Sequence, residues 1–104
     1  MSVLVELGVS YTSDLRRVEE VTIETARTVQ KNVEGGVVNH EPFIRYHTFG
    51  DSAIRFSVIL RGKEFTDQYL IKHEFLKAIT EAYSEYNIEV PYPTRTVLLK
   101  QEKT

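Results

Sequence analysis

The chain has 104 residues, 41% of them hydrophobic, with a formal charge of −2 and no cysteine. That length suits one domain with a real core, and the missing cysteine excludes disulfides, thiolate catalysis and thiolate metal sites while being compatible with a reducing compartment. The near-neutral charge leaves no global field to favour nucleic acid or an anionic membrane surface, and without a run of about 18 apolar residues no segment reads as membrane-spanning.

The N-terminus reads as a strand and not as a signal peptide. Val3, Val5, Leu7, Val9 and Tyr11 fall on one face and Leu4, Glu6, Gly8 and Ser10 on the other, the period of two expected of a strand with one buried side. Thr12-Ser13-Asp14 offers N-cap oxygens for a helix. Leu15, Val18, Thr22, Ala26, Val29 and Val33 then recur at spacings of three and four, which predicts an amphipathic helix with Val21 and Ile23 at the margins of its apolar stripe. Gly35-Gly36 ends that helix.

Val37–Glu41 reads as a connector, and Pro42 opens a strand over Phe43–Phe49. Gly50-Asp51-Ser52 is turn chemistry between that strand and a second over Ala53–Leu60, so the two form a hairpin. Ile54, Phe56, Val58 and Leu60 are its buried set. The buried face of Phe43–Phe49 depends on whether the turn carries a bulge, and both alternatives stay open. Thr66 with Asp67 can cap a second helix running to about Tyr86, with Phe75, Leu76, Ile79, Ala82, Tyr83 and Tyr86 on its apolar side and Asn87 as its stop.

Ile88–Val90 is the last strand of the sheet. Pro91 and Pro93 then flank Tyr92, and proline has no N–H to give to a central ladder. A further β-type run, Thr94–Lys100, leaves with Val97, Leu98 and Leu99 and no later partner in the chain. An unpartnered apolar strand is an aggregation hazard unless other chains pair it. The expected architecture is therefore an α+β, ferredoxin-like βαββαβ sandwich, two helices on one face of an antiparallel sheet, over residues 1–93. Residues 94–104 add a C-terminal β extension and tail for pairing between subunits, with Tyr92, Thr94, Arg95, Thr96, Val97, Leu98 and Leu99 as the interface candidates.

Three stretches resemble one family. Val9-Ser10-Tyr11-Thr12-Ser13-Asp14-Leu15-Arg16-Arg17-Val18 is similar to the strand-to-helix passage of the C-terminal cytoplasmic domain of MscS-type (small-conductance) mechanosensitive channels. Phe49-Gly50-Asp51-Ser52-Ala53-Ile54 is similar to its hairpin. Ile88-Glu89-Val90-Pro91-Tyr92-Pro93-Thr94-Arg95-Thr96-Val97 resembles its exit, which usually reads Ile-x-Ile-Pro-Phe-Pro-Gln-x-x-Val. Thr94 stands where glutamine is common, and the Gly62–Asp67 link is short. The resemblance implies a fragment of a larger membrane protein whose transmembrane helices and middle β domain are not in this sequence, with Met1 an added start. It implies a homo-oligomer, a heptamer, forming a hollow vestibule on the cytoplasmic side of the cell membrane. Ions and small solutes pass through lateral portals of that vestibule, and Thr94–Lys100 supplies one strand per subunit to a barrel at its base.

Other functions fit the residues less well. His40, His47 and His73 occur in no metal-ligating spacing. Gly50-Asp51-Ser52 resembles a serine hydrolase block, yet Leu70 stands where the orienting acid before His73 is needed. An RNA-recognition module needs two or three stacking aromatics on its central strands, and Arg55, Ser57 and Ile59 occupy those places. The acylphosphatase phosphate loop is likewise absent around Gly8-Val9-Ser10-Tyr11. The chain is thus expected to be non-enzymatic, with no cofactor, no metal and no nucleic-acid partner. Arg16, Arg17, Glu19, Glu20 and Glu24 read as a solvated helix face in preference to an intersubunit seam. The alternative to the channel domain is a stand-alone ferredoxin-like regulatory or small-ligand module that oligomerises through its sheet edges.

Overall fold

The computed structural model describes residues 1–91. Alternation of β-branched and polar residues gives the first strand, β1, at Ser2–Val9, with Val3, Val5 and Val9 buried. Asp14 caps helix α1, Leu15–Asn32, its carboxylate accepting the N–H groups of Arg16 and Arg17 at 3.1 and 3.4 Å, which satisfies donors that a helix start leaves free. The predicted stripe is the buried one: Val18, Thr22, Ala26 and Val29 face inward, while Val21 and Ile23 are half-buried. Gly35 takes φ +92 after the helix, and a side chain there would also strike the Asp67 carboxylate. Glycine meets both demands.

Strands β2 (Phe43–Phe49) and β3 (Ile54–Arg61) form the hairpin, and β1 pairs antiparallel on the other side of β3, giving the order β1-β3-β2. A bulge settles which side of β2 is buried. The register runs Ile44↔Val58 and Tyr46↔Phe56, then skips His47 to Thr48↔Arg55. Ile44 is therefore buried and Tyr46 half-buried beneath α1, where the Tyr46 hydroxyl donates to the Leu15 carbonyl at 2.7 Å. Burial raises the Tyr46 phenol to about 12. His47 is turned to the outer face.

Helix α2 spans Asp67–Glu85 and antiparallels α1 across the same sheet face. Its buried stripe is Ile71, Phe75, Ile79 and Tyr83 at strict spacings of four. Two expectations are corrected here. Leu76 and Tyr86 are 46% and 42% exposed: Leu76 lies one position beyond Phe75, about 100° around the helix, and Tyr86 is the C-cap, past the last helical turn. Thr66 makes no side-chain cap and is itself helical in φ and ψ; Asp67 instead folds back, its carboxylate accepting the Glu64 N–H at 2.8 Å. Asn87 stops the helix as expected, at φ 58. Ile88 N–H reaches the Tyr83 carbonyl at 2.8 Å and Asn87 N–H that of Ser84 at 3.4 Å, the paired bonds of a Schellman end.

The core is the layer between helices and sheet: Val3, Val5, Val9, Phe56, Val58 and Leu60 from the strands, against Val18, Ala26, Phe75 and Ile79. The α+β sandwich with two helices on one sheet face is as read from the pattern. The fourth strand is a further correction. Ile88–Val90 is not a strand; it lies beside β1 and is tied there by a bond from Ser10 N–H to the Glu89 carbonyl at 3.0 Å. Opposed residues in an antiparallel pair step by one in opposite senses, so the next bonding pair in that register is Gly8 with Pro91. Pro91 has no N–H to contribute, and among the described residues the exit segment makes that single backbone bond to β1.

Candidate functional site

The interface candidates Tyr92, Thr94, Arg95, Thr96, Val97, Leu98 and Leu99 all lie outside the described residues. What the structure places is the segment that leads to them and the sheet edge beside it. Asn87 turns the chain out of α2, Ile88 packs against the core, and Val90 is 56% exposed. Leu7 and Gly8 of β1, Leu76, Ile79 and Tyr83 of α2, and Ile88 to Pro91 line an open, largely apolar groove along the outside of β1.

The two edges of the sheet differ in chemistry. Met1 and Gly62 exchange both backbone bonds, at 3.0 and 2.9 Å, so the odd-numbered residues of β1 bond to β3 and the even-numbered ones point their backbone groups away from it. Ser10 N–H follows that alternation and finds Glu89. On the other edge, Gly50 N–H bonds Ala53 at 2.8 Å, and the register then turns the Ile44 backbone outward. The Arg45 guanidinium donates to the Ile44 carbonyl at 2.8 Å and lies over the Phe43 ring, 4.7 Å from its centroid. With Pro42 before it and the His47 bulge within it, β2 is a guarded edge.

On the face away from the helices, Glu6 links all three strands. Ser57 donates to Glu6 Oε1 at 2.8 Å, and His47 Nε2 lies 3.1 Å from Oε2. The Ser57 hydroxyl, and after it His47, hold the Glu6 carboxyl below its ordinary value. This is not a nucleophile's arrangement: the carboxylate stands between serine and histidine, whereas a triad needs the histidine to touch the serine. Around it, Leu4, Gly8, Arg55 and Ile59 offer no aromatic platform for bases on β1 and β3.

The remaining candidates are dispersed. His40 is in the connector, with its carbonyl bonded to Gln30; His73 sits on the exposed side of α2, 3.9 Å from Glu74. Among the described residues no group of three metal-ligating side chains converges. Gly50-Asp51-Ser52 forms the hairpin turn, and the Gly50 carbonyl accepts the Tyr11 hydroxyl. Tyr11 stacks on Phe49, ring centroids 6.2 Å apart, and Phe49 is 85% exposed. Arg17 lies over the Tyr86 ring on the solvated side of α1. The Glu6 link escaped the sequence reading, since it depends on a bulge and on strand order that no single segment encodes.

Comparison with known proteins agrees with this architecture. The family described as "Mechanosensitive ion channel MscS, C-terminal" matches residues 3–90. The cryo-EM structure of wild-type AtMSL1 superposes with a TM-score of 0.63 at 10% sequence identity, covering 88% of this chain. At that identity the likeness concerns the fold. The superposition takes in 32% of the AtMSL1 chain, so the present chain spans about a third of that protein's length. No curated protein matches the sequence, and among the described residues no helix is long and apolar enough to cross a membrane. A family match over residues 3–90, on a sheet of order β1-β3-β2 with two helices on one face, makes the chain a member of the MscS mechanosensitive ion channel family, in its C-terminal domain.

Proposed function

We propose that the chain serves as a cytoplasmic vestibule domain of an MscS-like channel, a non-enzymatic wall that supports subunit assembly and filters the ions and small solutes released under osmotic stress. Its partners in this reading are further copies of itself, arranged as a ring of seven below the pore. The segment Thr94–Lys100 pairs with its counterparts in neighbouring subunits, and Tyr92 packs at the boundary. Copies related by a rotation that closes form such a ring without leaving an unpaired edge. Gating by membrane tension belongs to parts of the protein other than this domain.

The observation that carries the reading, beside the family membership, is the stop at Pro91. The exit segment makes one backbone bond to β1 and then meets a residue with no N–H to offer. Pro93, two positions on in the sequence, likewise has no N–H. The apolar run after it is thereby denied an easy continuation along its own sheet. Deleting residues 94–104 is the test. Circular dichroism should report an intact fold, and light scattering a weakened self-association. A deletion that unfolds the domain, or one that leaves association as strong as before, overturns the assignment of this segment.

A further inference from the structure

We infer that Glu6 and His47 form a pH-operated clasp across the outer face of the sheet, one that tightens when His47 is charged and so restrains the β2 bulge and the hairpin tip beyond it. Both residues belong to the sheet itself, so the clasp is independent of the channel reading.

β3 lies between β1 and β2, and a side chain of β1 reaches β2 only by crossing it. Glu6 does so. Ser57, opposite Glu6 in the register, fixes one carboxylate oxygen at 2.8 Å, and the other meets His47 Nε2 at 3.1 Å. His47 is the residue that the β2–β3 register skips, and a bulge re-aims a side chain in this way. Its other ring nitrogen, Nδ1, stands 2.7 Å from Thr48 Oγ1. A neutral ring with its proton on Nε2 donates to Glu6 and accepts from the Thr48 hydroxyl. In the charged ring both nitrogens donate, the hydroxyl turns to accept, and the bond to Glu6 gains the attraction of a full positive charge.

Histidine is the side chain whose charge ordinarily changes between about pH 5 and 8. Glu6 stays ionised over that range, because the Ser57 hydroxyl, and after it His47, hold its carboxyl low. The other groups around the ring offer no second acid. β3 contributes Arg55, which also acts on Glu6, and β2 contributes Arg45, engaged with the Ile44 carbonyl and the Phe43 ring. The start of α1 adds the uncharged Leu15 to the hollow beside His47. Among the described residues, Glu6 is the one carboxylate in ion-pair contact with His47. Next along the chain come Thr48, bonded to the ring, and Phe49, stacked on Tyr11. The clasp therefore acts where the hairpin tip joins the sheet.

The test is amide hydrogen exchange of the full chain, each rate divided by that of an unstructured peptide at the same pH. Thr48 is the amide to follow, since by alternation from the Gly50–Ala53 bond it pairs with Arg55. Its protection should rise about 1.5- to 5-fold from about pH 8 to about pH 5, the scale of an exposed ion pair, while that of Val58 in mid-β3 should not change. Glu6→Gln and His47→Gln each keep a polar side chain and remove one charge, and each should abolish the rise while leaving Val58 as protected as before. In the unsubstituted chain, about 1 M salt should shrink the rise, because screening weakens an exposed pair. Thr48 protection that ignores pH, a rise that survives either substitution or high salt undiminished, or one shared equally by Val58 overturns the proposal.

Discussion

The side-chain oxygen of Gln30, on α1, accepts the backbone N–H of Arg61, at the end of β3, at 2.8 Å. The same amide donates to the carbonyls of Val37 and His40 at 2.8 and 2.6 Å. One buried side chain thus ties the helix, the connector and the sheet together, at the end of the domain where Gly36 meets Gly62. Gln30→Leu keeps the volume but removes all three bonds. The His40 carbonyl and the Arg61 N–H would lose their partner, while the Val37 carbonyl keeps the His40 N–H at 3.2 Å, and an unsatisfied buried polar group costs about 1–3 kcal/mol. Because the connector is partly open to water, the expected loss is about 2–3 kcal/mol in urea unfolding, with the exchange of the Arg61 amide accelerated beyond that of the rest of β3.

Tyr83 is the buried polar group between the helices, its hydroxyl paired with that of Thr22. Burial pushes its phenol up to about 12 from 10.0. The sign follows from proton binding: between those pH values the unfolded chain has released the proton and the folded chain still holds it. Stability from this group is complete below pH 10.0 and is lost as pH rises toward about 12. Tyr83→Phe should flatten that part of the alkaline unfolding curve, at the expense of some stability near neutrality where Thr22 loses its partner. An unchanged alkaline limb would show that Tyr83 does not carry the effect.

How much was legible before the coordinates differs from element to element. The buried faces of β1 and α1 are largely readable, because Val3, Val5 and Val9 alternate and Val18, Thr22, Ala26 and Val29 recur by turns of a helix, although Tyr11, read with the buried face of β1, lies beyond the strand and is 44% exposed. In α2 the pattern gives Phe75, Ile79 and Tyr83 of the buried stripe but misses Ile71 and adds Leu76 and Tyr86, because these are equally apolar and only the sheet beneath the helix selects among them. Gln30 was invisible for a similar reason. A glutamine on a helix reads as solvated until the connector that buries it is in place. The His47 bulge was left open and could only be decided by pairing with β3. The candidates from Tyr92 onward are a statement about the sequence and lie beyond the described residues.

Glu6 offers a measurement of the outer face. Its carboxyl is held low mainly by the Ser57 hydroxyl and then by His47. Ser57→Ala should move the Glu6 titration, followed by NMR at the side-chain carboxyl, upward toward the ordinary range, and His47→Ala should do so by less. For a lowered carboxyl the stabilising contribution is present above the unfolded value and fades as pH falls through the folded one. The group is exposed, so global stability should barely register the change. A Glu6 titration identical in the parent and Ser57→Ala would mean that the link across the three strands does not persist in solution.

Pro91 can be made to reveal whether its missing N–H is what ends the β1 ladder. Pro91→Val restores a donor opposite Gly8 and adds a β-branched residue suited to an extended segment. A new backbone bond contributes about 0.5–1.5 kcal/mol, but removing proline also frees the unfolded chain, at about 0.4–1 kcal/mol. The two nearly cancel, so stability is the wrong readout. Amide exchange is the right one: the new amide at position 91 should be protected together with that of Ser10, and Val90 should become less exposed. If the amide at position 91 exchanges as freely as an open loop, the segment is held off β1 by the course of the backbone after Asn87, and the absent donor is incidental.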